Sequence, residues 1–237
     1  MPVSALSEIV LALFLLANLV LAGTGRLKSA VRIVALQGWA VGLLPLLLWD
    51  WTSGGAPSPR VWFVAAVNAL GKGYALPALV SYAVRRTGAR PELEPLVGFR
   101  LSRVIVFALS VACFAIGRAM HDGSAVASEL AVPVALTTMG TGLFLTCARR
   151  KAITQVLGFV VFENGIAVFG SGILAEFGPV VELGILLDVF VLVFVLGIAV
   201  FQINRTFSSL DTDRMNRLGD IHLMYRRKDR TGGRKDV

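Results

Sequence analysis

Three ionisable side chains sit where an apolar sequence has least reason to keep them. Lys72 occupies the middle of VNALGKGYALPAL (residues 67–79), Glu163 the middle of QVLGFVVFENGIAVFG (residues 155–170), and Asp188 lies within VVELGILLDVFVLVF (residues 180–194). An ionisable group near the centre of a bilayer costs on the order of 3 kcal/mol or more, so its presence there is a functional signal by default. The chemistry open to these groups is proton exchange. A lysine removed from water can release and regain its proton near neutral pH. A buried carboxylate is either protonated or paired with a cation such as Lys72. Lys72 stands about twelve residues, roughly 18 Å, from either end of its apolar span, too far for its stem to snorkel to the interface. Gly71 and Gly73 flank it and allow close helix approach or local water, while Pro77 frees a backbone carbonyl one turn away. The competing readings are structural. Lys72 would form an ion pair with a buried carboxylate of this or a neighbouring subunit, or Glu163 would stay protonated and hydrogen-bond between helices. The supporting polar candidates are Asn164, directly after Glu163; Gln37, placed to hydrogen-bond Lys72 or a water chain; and Glu182, which reads as solvated near a span end, as does Glu8.

These depths follow from the elements that carry the residues. Of 237 residues 56% are hydrophobic and only 16% charged, and the mean hydropathy is +0.74. A soluble domain carries roughly 25% charged residues, so this chain lacks the polar surface of a water-facing globule. A spanning helix needs about 20 predominantly apolar residues, and seven stretches qualify: 5–24, 30–50, 61–84, 103–121, 129–148, 152–173 and 179–204. The expected fold is all-α, a polytopic membrane protein of about seven transmembrane helices. No Lys or Arg precedes Arg26, so the first span lacks the basic start of a cleaved signal peptide. Twenty of the 23 Lys and Arg residues fall after spans 1, 3, 5 and 7; only Arg60 and Arg118 fall on the other side, and Lys72 lies inside span 3. By the positive-inside rule the N-terminus faces out and the C-terminus the cytoplasm.

That distribution also removes nucleic acid as a partner, since the net charge of +8 is spread over helix ends with no aromatic or motif pattern beside it. The partner it implies is the lipid bilayer. Residues 1–207 form a transmembrane helical domain, whose connections are too short for a second folded domain, and 208–237 a polar cytoplasmic tail. Two Cys and two His leave no disulfide scaffold and no haem, iron–sulfur or zinc site. No phosphate loop, serine triad or pair of catalytic carboxylates can be assembled, so neither a catalytic centre nor a bound cofactor is expected. A retinal protein is excluded because the intramembrane lysine is in the third span and not the last.

The string RRKAITQVLGFVVFENGIAVFG, followed by VELGILLDVFVLVFVLGIAVFQINRTFSSLDTD, resembles the membrane subunit called hydrogenase-4 component E, of energy-converting hydrogenase and formate hydrogenlyase-type complexes. The segment from Lys72 to Pro77, with Arg85 and Arg86 after it, is similar to that family's third helix, and the likeness spans most of residues 26–215. Its most specific pieces are Glu163-Asn164-Gly165 and Leu210-Asp211. The helices of residues 152–207 also resemble subunit K of respiratory complex I, whose two intramembrane glutamates relay protons. Aligned on Arg149, Arg150, Gly158 and Asn164, Val160 falls at the first glutamate. Glu163 lies three residues on, about 300° around the helix and 4.5 Å along it, and so on roughly the same face; Asp188 falls within about two residues of the second.

The resemblance implies a subunit of the bacterial cytoplasmic (inner) membrane without a redox centre. Its partners would be large antiporter-like subunits, a membrane-anchor subunit and, indirectly, a hydrophilic hydrogenase-like or quinone-reductase-like module. Glu163, Asp188 and Lys72 would carry protons along an intramembrane polar axis. Two other readings are a structural spacer without a proton role and a standalone membrane transporter.

Overall fold

The computed structural model describes residues 3–49, 55–87, 96–121, 129–173 and 197. Span 7 with Glu182 and Asp188, the boundary at residue 207 and the tail 208–237 lie outside the described residues. Every regular element among the described residues is helical: α1 (Val3–Gly23), α2 (Leu27–Leu47), α3 (Pro59–Asn68), a π-helical turn (Ala69–Ala75) running into α4 (Leu76–Thr87), α5 (Phe99–His121), α6 (Ala131–Ala148) and α7 (Ala152–Ile173). With α3, the π turn and α4 counted as one, six helices are long and apolar enough to cross a membrane. The chain is a multi-pass membrane protein by this measure.

The helices outside α6 and α7 bury a stripe at steps of three and four residues, the periodicity that places side chains on one face, whereas α6 and α7 are buried over more than half of their spanning length. On α1 the stripe is Ser7, Leu11, Phe14, Asn18 and Leu21; on α2 it includes Val34, Gln37, Val41 and Leu44. The remaining faces stay apolar and exposed, as with Leu6, Leu13 and Leu16 on α1 and Leu101, Val104 and Phe107 on α5. A helix apolar all round suits a lipid solvent rather than water. Small residues then set the closest approaches. On α6 and α7 a Cβ at Gly158 would lie 2.6 Å from the Thr146 nitrogen and one at Gly165 2.6 Å from the Met139 nitrogen, while one at Gly142 would collide with the Phe162 backbone. In lipid, where apolar burial drives no association, such backbone contact supplies the packing that holds helices together.

Two apolar clusters divide the bundle along its length. One holds Leu21, Val34, Leu76, Leu145, Val160 and Val161; the other Phe14, Val41, Leu44, Val134, Ala135 and Val168. The first lies toward the basic end, where Arg149 is buried among apolar neighbours. One Arg149 nitrogen, Nη2, donates to the Ala22 carbonyl at 3.1 Å, and the guanidinium stacks 5.1 Å from the centre of the Phe99 ring. The carbonyl belongs to the last turn of α1, whose final C=O groups lack helical partners. Burial pushes the Arg149 guanidinium below the usual arginine value, though an arginine remains charged at any accessible pH. Several expected boundaries shift by a few residues: α2 runs from Leu27 to Leu47, α4 ends at Thr87, and α5 begins at Phe99. Arg100 and Arg103 therefore stand on the opening turns of a helix and not in a connection. A long basic stem on an opening turn can snorkel toward the interface, so a helix can start before its apolar run does.

Candidate functional site

Between the two clusters, the buried faces of α1, α2, α6 and α7 are interrupted by polar residues. On α1, Asn18 stands between Phe14 and Leu21; on α2, Gln37 between Val34 and Val41; on α6, Thr138 and Thr141 between Val134 and Leu145; on α7, Glu163 and Asn164 between Val161 and Val168. In the third span the buried stripe runs Ala65, Asn68, Lys72, Leu76 and Val80. The polar groups thus form one layer between two apolar ones.

Lys72 and Glu163 meet in that layer. Lys72 Nζ lies 3.8 Å from Glu163 Oε1, with side-chain exposures of 3% and 2%. Glu163 is near the midpoint of α7 and Lys72 near the midpoint of the third span. The structure therefore brings two of the three sequence-derived ionisable candidates into one ion pair, with no water-exposed face to screen it. The third, Asp188, lies outside the described residues.

The π turn sets the lysine's position. At its end the Leu76 N–H bonds to the Gly71 carbonyl, five residues back, and the next residue, Pro77, has no N–H to donate. A helix that must pass such a gap can widen by one residue, and π turns of this kind concentrate at functional sites. Of the two glycines beside Lys72, Gly73 allows a close approach, to Trp39 of α2, and Gly71 does not. A Cβ at Gly71 would meet nothing within 4 Å, and one at Gly73 would lie 2.9 Å from the Trp39 ring. The backbone-to-backbone approach comes from the glycines of the same α2, where a Cβ at Gly38 would collide with the Lys72 carbonyl group and one at Gly42 would lie 2.6 Å from the Ala69 Cβ.

Gln37, expected to reach Lys72 or water, donates from Nε2 to Asn18 Oδ1 at 2.9 Å. Asn18 Nδ2 in turn donates to Thr138 Oγ1 at 2.9 Å, and the Thr138 hydroxyl donates to the Val134 carbonyl at 2.7 Å. Asn18 escaped the sequence reading. Its signal was the stripe itself, a single polar residue at the third of four heptad-spaced positions (Leu11, Phe14, Asn18, Leu21), and a neutral amide stands out less than a charge does. Asn164 is completely buried, and neither atom of its carboxamide has a hydrogen-bond partner among the described residues; the same holds for Gln37 Oε1.

The comparison with known proteins bears on ancestry. Over 207 residues the chain is 30% identical to "Uncharacterized protein Rv0085" of Mycobacterium tuberculosis (strain ATCC 25618 / H37Rv), covering 86% of this chain and 92% of that one. The chain belongs to the Rv0085 family. No family profile matches it, and no solved structure does. Kinship with Rv0085 extends over nearly the whole length of both chains, so it concerns the bundle as a unit and not one shared segment.

Proposed function

We propose that this chain is a non-redox subunit of a complex I-like, group 4 hydrogenase-like assembly in a bacterial cytoplasmic membrane. There it supplies part of the intramembrane polar path that couples electron transfer in partner subunits to proton or sodium movement. The observation that carries the reading is the buried Lys72–Glu163 pair, halfway along two membrane-length helices and surrounded by a polar layer. An ammonium and a carboxylate at this separation can exchange a proton through a small rearrangement that leaves both neutral. A proton that then enters or leaves the pair gives it a net charge that biases the next transfer along the membrane. The resemblance of the Glu163-Asn164-Gly165 region to hydrogenase-4 component E supplies the assembly. The N-terminus would face out, antiporter-like and membrane-anchor subunits would flank the chain, and Asp188 would continue the path.

The test is Glu163→Gln in the intact complex, with electron transfer and ion uptake measured together in inverted membrane vesicles. Electron transfer should persist while ions moved per electron fall. Unchanged pumping in a fully assembled complex would remove the proton role and leave a structural spacer.

A further inference from the structure

We propose that the polar layer holds a bound water between α2 and α7, gripped by Gln37 Oε1 and the Asn164 carboxamide beside the Lys72–Glu163 pair. The placement follows from the two apolar clusters. Val34 of α2 and Val161 of α7 share the first, and Val41 and Val168 share the second. The two helices therefore run in the same direction, from the first cluster to the second. Gln37 lies three residues after Val34, and Asn164 three residues after Val161, so both amides fall in the polar layer between the clusters on helices that pack together. Gly38, next to Gln37, meets the Lys72 backbone, and Lys72 meets Glu163, next to Asn164, so the two amides flank the same lysine.

Each amide still needs partners. Gln37 is 2% exposed and Asn164 not at all. The Gln37 nitrogen is committed to Asn18 at 2.9 Å, which fixes the amide's orientation and leaves Oε1 as an acceptor with no hydrogen bond; Asn164 Oδ1 and Nδ2 have none either, among the described residues. Buried polar groups are rarely left so, because leaving three unsatisfied costs more than immobilising one solvent molecule. The ligand's chemistry follows from the donor set, which is two acceptor oxygens and one N–H donor. A metal cation would be repelled by the Asn164 N–H and by the neighbouring Lys72 ammonium, and an anion by the two oxygens and Glu163. Water fits both roles: its O–H groups donate to the oxygens and its lone pair accepts from Nδ2, giving the usual number of bonds for a buried water. Asn18 is then a positioning residue. Anchored on Thr138 at 2.9 Å, it holds the Gln37 nitrogen and leaves the Gln37 oxygen to the water.

This inference stands apart from the proton reading, since the amides require a partner whatever the pair does. It is tested by X-ray radiolytic footprinting of the full chain in lipid nanodiscs with bulk radicals scavenged, so that only bound water oxidises its neighbours. Oxidation should appear at Val161 or Val34 at several times the level at Leu11 and Leu44, which are buried in the apolar clusters. In Asn164→Leu, which removes two of the three polar partners, it should fall to the Leu11 level. Oxidation unchanged in that variant would overturn the site. Should the variant fail to fold, the natural chain decides alone, because labelling at Val161 and Val34 no stronger than at Leu11 overturns the proposal.

Discussion

At 3.8 Å the Lys72–Glu163 pair attracts with roughly 4 kcal/mol at the effective dielectric typical of proteins. Removing the two ions from water costs several kcal/mol each. The pair is therefore a poor device for stability, which favours the view that it is kept for its charge chemistry. The asymmetry can be measured by denaturant or thermal unfolding of the purified chain. Lys72→Met should cost about 3–5 kcal/mol by stranding a buried carboxylate, whereas Lys72→Met combined with Glu163→Gln should recover most of that loss. If the double variant stays as unstable as the single one, the pair is a structural lock. Sequence reading reached these two residues because a charge in an apolar run is visible without any structure. Asn18 was overlooked for the opposite reason: a lone amide costs little at its depth, and its importance comes from what Gln37 and Thr138 do with it across helices.

Within the elements, the third span shows what pattern can and cannot deliver. Its existence was legible from apolar length, and a disturbance near Lys72 from Gly71, Gly73 and Pro77. The form of the disturbance was not. Whether a helix kinks or widens at proline depends on what packs against the gap, and here that is α2, with Gly38 against the Lys72 carbonyl group and Gly42 against Ala69. Spacing within one helix carries no information about that partner. The consequence is a contrast between two glycines. Gly38→Ala places a methyl group against backbone that cannot swing away, and should destabilise the bundle by about 1–3 kcal/mol while moving Lys72 from Glu163. Gly71→Ala meets open space and should be neutral or stabilising by about 0.4–1 kcal/mol, through lost freedom in the unfolded chain. Unfolding midpoints of the two variants in the same detergent check both; equal losses would show that the α2 contact does not govern the π turn.

Over the whole molecule, the charge pattern read along the sequence reappears as geometry. The Arg149 bond to Ala22 joins the end of α6 to the end of α1, the Leu96 N–H bonds to the Ala148 carbonyl at 2.9 Å, and Arg103 lies where a Cβ at Gly23 would be, 2.6 Å from its Cδ. Three connections separated in sequence thus meet at one end of the bundle, with Arg26, Lys28, Arg100, Arg103 and Arg150 exposed around it. The opposite end carries Ser58 at the start of α3, where Trp49 Nε1–H donates to the Gly55 carbonyl at 3.1 Å. Translocating a cluster of basic residues is opposed during insertion, so the basic end should face the cytoplasm. Single cysteines at Ser58 and Arg150, introduced where Cys147 and Cys113 have been replaced, should separate under a membrane-impermeant maleimide. Ser58→Cys should react in intact cells, and Arg150→Cys only after the membrane is opened. The reverse pattern would invert the orientation, and with it the side from which a proton reaches Lys72 and Glu163. Labelling of both from one side would contradict the end-to-end arrangement of the helices themselves.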